Sequence, residues 1–245
     1  MKLGKLILFP GLGADGRLFN PQRVLPVEIV TPGWIPPLEG ESLAAYAGKM
    51  AKHMMHAGIC VPGESVHLGG ASFGGMVAQE LAGALLREGV KVRGVVLMAS
   101  ARSGREVSRT LSWVERGSRG LPDTLLEFGR RRAKLIGPEF RAVPLPMKRL
   151  LREMFLATNL DFLRWGSRAI IEWPGAGAKA EAADDAADPV QPPVPVRQIH
   201  GAEDRVIPVR HVHPDVIIPG AGHLVNITHP AEVNQFIEFS LGRMS

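Results

Sequence analysis

Six short β-like runs, at 3–9, 27–30, 66–68, 92–98, 194–199 and 216–218, alternate with helix-like segments along the chain. The first, fourth and fifth are largely apolar, as parallel strands covered on both faces must be. Segment 42–56 opens on Ser42, a favourable N-cap, and stops at Gly58. Segments 74–87 and 232–241 carry apolar residues at helical spacing. Strands alternating with helices constrain the chain to an α/β fold, a mostly parallel, doubly wound sheet of about six strands.

One stretch breaks the alternation. From about 102 to 188 there is no convincing strand pattern, only helix-like pieces punctuated by Pro122, Gly137, Pro138, Pro144, Pro146 and Pro174. It ends in AGAKAEAADDAADPVQPPVP, alanine-rich and then proline-rich. The expected organisation is a core of 1–101 and 190–245 with a helical insertion, 102–189, between its strands.

The literal G-x-G-x-x-G at Gly11, Gly13 and Gly16, behind an apolar run, raises dinucleotide binding. That fold needs a long helix after the loop and a carboxylate at the end of the next strand. Here Pro21 and Pro26 interrupt the helix, Glu28 stands near the start of its strand, and the exit is Thr31-Pro32-Gly33. The fingerprint fails its context.

A second glycine cluster accounts for the first. Residues 66–77 read VHLGGASFGGMV, a strand, then G-x-S-x-G centred on Ser72, then a helix. A strand-to-helix turn this tight forces the central residue to positive φ and leaves no room for side chains two residues to either side. Two further pieces follow in order, each after a late strand: HGAEDRVIP at 200–208 and PGAGHL at 219–224. Serine, acid and histidine in that chain order form a nucleophilic set.

At these residues the chain resembles the α/β-hydrolase superfamily, in particular its small esterase-like members with a helical cap. The resemblance covers about 1–101 and 190–245. It implies an α/β-hydrolase sheet lacking the family's first two strands, with 102–189 as the cap. It also implies Ser72 as nucleophile, His223 as general base and acid, and Asp204 as the residue orienting the imidazole. FPGLG at 9–13 aligns with the family's oxyanion loop, with Pro10 where many relatives have histidine, so the N–H groups of Leu12 and Phe73 would hold the oxyanion. The implied activity is carboxylesterase chemistry on a small-molecule ester, with no metal or organic cofactor. Serine at the nucleophile position argues against epoxide hydrolase and haloalkane dehalogenase chemistry, which use aspartate there.

Several residues compete for these roles. Glu203 neighbours Asp204, and His200 and His229 are alternatives to His223. Trp34, Trp113, Phe128, Phe155 and Trp165 are candidates for lining a substrate pocket. His53 and His56 lie one helical turn apart but have no Cys, Asp or Glu close by to complete a metal site.

Charge and composition limit the partners. Between Arg102 and Arg152 stand thirteen Arg or Lys against five Asp or Glu, within a net charge of +5. Such a segment suits an acidic carrier protein, which makes a carrier-protein methylesterase or thioesterase the second expectation. A non-catalytic binder on the same fold is the third. Nucleic-acid binding is not expected, because the arginines lack interleaved stacking aromatics. No apolar run approaches the ~20 residues of a membrane span. The apolar start ends at Pro10, too soon for a secretory signal, and Cys60 is the single cysteine, so cytoplasmic residence is expected.

Overall fold

The computed structural model describes residues 4–108, 117, 121–132, 140–177 and 194–244. The strands are β1 (Lys5–Phe9), β2 (Glu28–Val30), β3 (Ser65–Ala71), β4 (Lys91–Met98), β5 (Val196–Gly201) and β6 (Val216–Ile218). They form one sheet in the order β2-β1-β3-β4-β5-β6, every neighbouring pair parallel. Each expected strand is present, within a few residues of its expected limits.

The helices among the described residues are α1 (Leu43–His56), α2 (Phe73–Arg87), α3 (Asp123–Arg132), α4 (Leu145–Ala157), α5 (Leu160–Glu172), α6 (Val225–Thr228) and α7 (Pro230–Arg243). Ser42 caps α1, its Oγ accepting from the Ala45 N–H at 3.2 Å. The helix closes just before Gly58, whose φ of +66° favours glycine.

The two-residue period of the strands builds two core layers. Ile7 and Phe9 of β1 and Val95 and Leu97 of β4 join the layer closed by α1 and α2, with Tyr46, Met50, Met76 and Leu81. Leu6, Leu8, Val96 and Met98 face the other way, onto Leu18, Phe19 and the α7 residues Val233, Phe236 and Ile237. Both faces are covered, which is why β1 and β4 cannot alternate with polar residues.

Between β4 and β5 the described residues hold helices α3 to α5 and no strand. Helix α4 sends Met154 to the second layer, while α5 sends Phe162, Ala169 and Ile170 to the first. Asn159 starts α5, its Oδ1 accepting from the N–H groups of Asp161 and Phe162 at 2.7 and 3.2 Å. Just past α5, the Trp173 indole donates to Glu80 Oε1 on α2 at 2.7 Å, tying this segment to the core. Trp113 and the 178–193 part of the alanine- and proline-rich connector lie outside the described residues.

The arginines of α3 are not equivalent. Arg130 is 10% exposed, paired with Glu127, and donates to the carbonyls of Phe155 and Thr158. Arg132 stacks over the Phe128 ring at 4.2 Å, and Arg131 is 77% exposed. Among the described residues no helix is long and apolar enough to cross a membrane.

Candidate active site

An all-parallel sheet places all its C-terminal strand ends along one edge, so the loops leaving β1, β3, β4, β5 and β6 gather there. Ser72 sits between β3 and α2 with φ 51° and ψ −124°. A non-glycine residue at positive φ costs ~1–3 kcal/mol and persists only where its surroundings over-determine it. Three backbone contacts do so here. The Ser72 N–H donates to the Met98 carbonyl at 3.0 Å, and the Ser72 carbonyl accepts from the Gly75 N–H at 3.0 Å and Ser100 Oγ at 2.7 Å.

The glycine spacing has its expected steric cause. A Cβ on Gly70 would collide with the backbone of Gly74 and Gly75, and one on Gly74 with the carbonyls of Phe9 and Pro10. The second collision also shows that the loop after β1 is seated directly against the turn. A Cβ on Gly11 would lie 3.6 Å from Ser72 Cβ. Gly13 has φ +81°, and a Cβ there would stand 2.7 Å from the Phe155 ring. These glycines serve close backbone approach between β1, β3 and α4. Leu12 follows Gly11 in this loop, its side chain against Gly166 of α5, and Phe73 opens α2, where backbone N–H groups have no partner within the helix.

The loop after β6 carries His223 to the same place. Its Nε2 lies 2.9 Å from Ser72 Oγ and its Nδ1 2.7 Å from Asp204 Oδ2. Asp204 reaches it from the loop after β5, and its Oδ1 accepts from the N–H groups of Val206 and Ile207, each at 2.8 Å. The Glu203 N–H donates to the Ala221 carbonyl at 2.8 Å, locking the two loops together. The Asp204 side chain is fully buried and that of His223 is 13% exposed. Burial pushes the Asp204 carboxyl up, but the His223 charge and hydrogen bonds from His200, His223 and Ile207 outweigh it, holding it well below the usual carboxylate range.

The competing residues lie elsewhere. Glu203 is exposed. His229 Nδ1 is 2.9 Å from Thr228 Oγ1. His53 and His56 face solvent on α1, and no cluster of metal-ligating side chains occurs among the described residues. His200 is buried and contacts Asp204 rather than Ser72.

The candidate aromatic residues divide into two groups. Trp34 and Trp165 pack with Phe73 at centroid distances of 5.5 and 5.9 Å, and Phe162 joins them. The Trp165 indole donates to the Glu41 carbonyl at 2.7 Å. Phe128 and Phe155 instead line a cavity of about 460 Å³, with Leu125, Leu160 and Leu163. Phe155 and Leu163 are also the side chains nearest Gly13, so this apolar space adjoins the β1 loop. Phe162, Leu160 and Leu163 were not singled out in the sequence, although the N-cap Asn159 marks the helix that carries them.

The sequence matches the model of the alpha/beta hydrolase family over residues 6–236. No curated protein matches it. Among solved structures, it is similar to a thermophilic esterase from Thermogutta terrifontis, with a TM-score of 0.64, 20% identity, and coverage of 98% of this chain and 90% of the other. A bromoperoxidase from Bacillus anthracis has a TM-score of 0.68 and 16% identity, covering 98% and 92%. One of a group of epoxide hydrolases from metagenomes of hot environments has a TM-score of 0.68 and 18% identity, covering 97% and 90%. At these identities the likeness is one of fold, and the three proteins carry different activities. The extent of the family match, together with the six-stranded parallel sheet, places this chain in the alpha/beta hydrolase family.

Proposed function

We propose that the chain is a serine hydrolase that cleaves carboxylic esters through an acyl-enzyme. The observation that carries this is the run Ser72 Oγ, His223 Nε2, His223 Nδ1, Asp204 Oδ2, with links of 2.9 and 2.7 Å. Asp204, ionised and acceptor-only, keeps the imidazole proton on Nδ1, which leaves Nε2 free to take the Ser72 proton. Ser72 Oγ then attacks the ester carbonyl, and the oxyanion forms against the N–H groups of Leu12, in the loop after β1, and Phe73, at the start of α2. The protonated His223 returns its proton to the leaving alcohol. A water deprotonated by the same Nε2 releases the acid and restores Ser72. Epoxide opening by a carboxylate nucleophile is not open to a serine at this position. The segment between β4 and β5 acts as a cap over this edge, and the apolar cavity beside Gly13 supports a substrate whose acyl or alcohol part is hydrocarbon.

A panel of p-nitrophenyl esters of graded acyl length, run beside a thioester and an anilide, tests this. Ester turnover with an optimum in chain length is expected. Cleavage of the thioester alone would replace the esterase by a thioesterase, and no turnover of any member would leave a non-catalytic binder.

A further inference from the structure

His200 is the penultimate residue of β5 and has no exposed surface. Its Nε2 lies 2.8 Å from the Ile207 carbonyl and 3.2 Å from Asp204 Oδ2. Both neighbours only accept, so Nε2 carries the ring proton and shares it between them. Nδ1 faces Gln198 Nε2 at 3.4 Å, and that amide donates to the Ser100 carbonyl at 2.9 Å. Ser100 Oγ in turn donates to the Ser72 carbonyl. A buried polar circuit therefore runs from the backbone of Ser72 through Ser100, Gln198 and His200 to Asp204, behind the direct route through His223.

Asp204 thus receives four donors, two backbone N–H groups on Oδ1 and two imidazole N–H groups on Oδ2. This matches the roughly four lone-pair sites of a carboxylate. We propose that His200 is a positioning residue for the reaction: it fixes the rotation of the Asp204 carboxylate and draws charge from the oxygen that faces His223. The inference rests on the proposed roles of Ser72, His223 and Asp204. A histidine needed only for packing could be satisfied by the Ile207 carbonyl. The second contact, on the same oxygen as His223 Nδ1, links it to the proton-accepting ring.

With the His200 donor removed, negative charge concentrates on Oδ2 and favours the imidazolium form of His223. The His223 titration then moves to higher pH, and the acid limb of kcat/KM moves with it. Other charged groups nearby are Glu106, which feels His200, His213 and Arg102, and Asp215, whose Oδ2 accepts from the Gln198 N–H at 2.7 Å. They are the same in both His200 variants, so they cancel in the difference.

The test compares His200→Leu, which removes the donor, with His200→Gln, whose amide nitrogen takes the place of Nε2. The readouts are the His223 titration, followed by NMR with labelled histidine, and the pH profile of kcat/KM per site titrated with a fluorophosphonate. For His200→Leu we expect an upward shift of roughly half a pH unit or more and a loss of ~10-fold or more in kcat/KM. His200→Gln should keep both close to the native values. Should the leucine variant not fold, His200→Asn, whose shorter amide falls short of Oδ2, takes its place. An unmoved His223 titration in the donor-free variant, or equal shifts in both variants, would overturn the proposal. The NMR readout needs no turnover, so a chain inactive on every ester would sink the esterase reading without deciding this one.

Discussion

Replacing Ser72 by alanine will lower ester turnover by ~10⁴–10⁶-fold and leave the protein folded, because the three side chains act as a unit. The substitution removes only the Oγ that stands 2.9 Å from His223 Nε2. The backbone has little reason to object. The fold already holds an alanine at positive φ, Ala99 with φ 45°, and the hydrogen bonds that pin residue 72 all involve its main chain. A melting temperature near the native value together with lost turnover is the expected pair of results. Lost turnover with lost folding would mean that the hydroxyl supports the turn rather than the chemistry.

Asp204→Asn should cost ~10³–10⁴-fold, and Glu203→Gln little. The two N–H groups on Oδ1 will keep the carbonyl oxygen of the asparagine on their side. Its NH₂ then points at His223 and His200. Facing a donor, His223 Nδ1 must become the acceptor, the proton moves to Nε2, and Nε2 can no longer take the Ser72 proton. The native carboxyl is held well below its ordinary value, so Asp204 stays ionised while His223 titrates. The acid limb of the native kcat/KM profile therefore belongs to the imidazole. The same sign applies to stability. A lowered carboxyl contributes stability that is fully present above the unfolded value of about 3.9 and is lost only as pH falls through the folded one. Steady-state kinetics of the two variants across pH check the assignment, and reversed costs would move the acid to Glu203.

The sheet was legible in the sequence because burial on both faces leaves β1 and β4 little freedom in composition. The turn at Ser72 was legible because Gly70 and Gly74 answer a steric demand that glycine meets. The polar circuit behind the acid was not. Gln198 reads as an interruption of an apolar strand, yet its buried NH₂ group must find partners, and Ser100 and His200 supply them. In the sequence His200 reads only as a rival to His223, and nothing marks Ser100. The pocket was the least legible part. Trp34, Trp165, Phe128 and Phe155 are similar letters in the sequence, and only the packing of α3, α4 and α5 separates the pair against Phe73 from the pair lining the cavity.

The central claim is that a covalent acyl group passes through Ser72. Rapid mixing with a p-nitrophenyl ester, an acid quench within one turnover, and mass spectrometry of the intact chain and its peptides tests it directly. The expected result is a burst of p-nitrophenol with one acyl group per chain, on the peptide containing Ser72 and absent from Ser72→Ala. Full ester turnover with no acylated peptide, or with the acyl group on another residue, would contradict it.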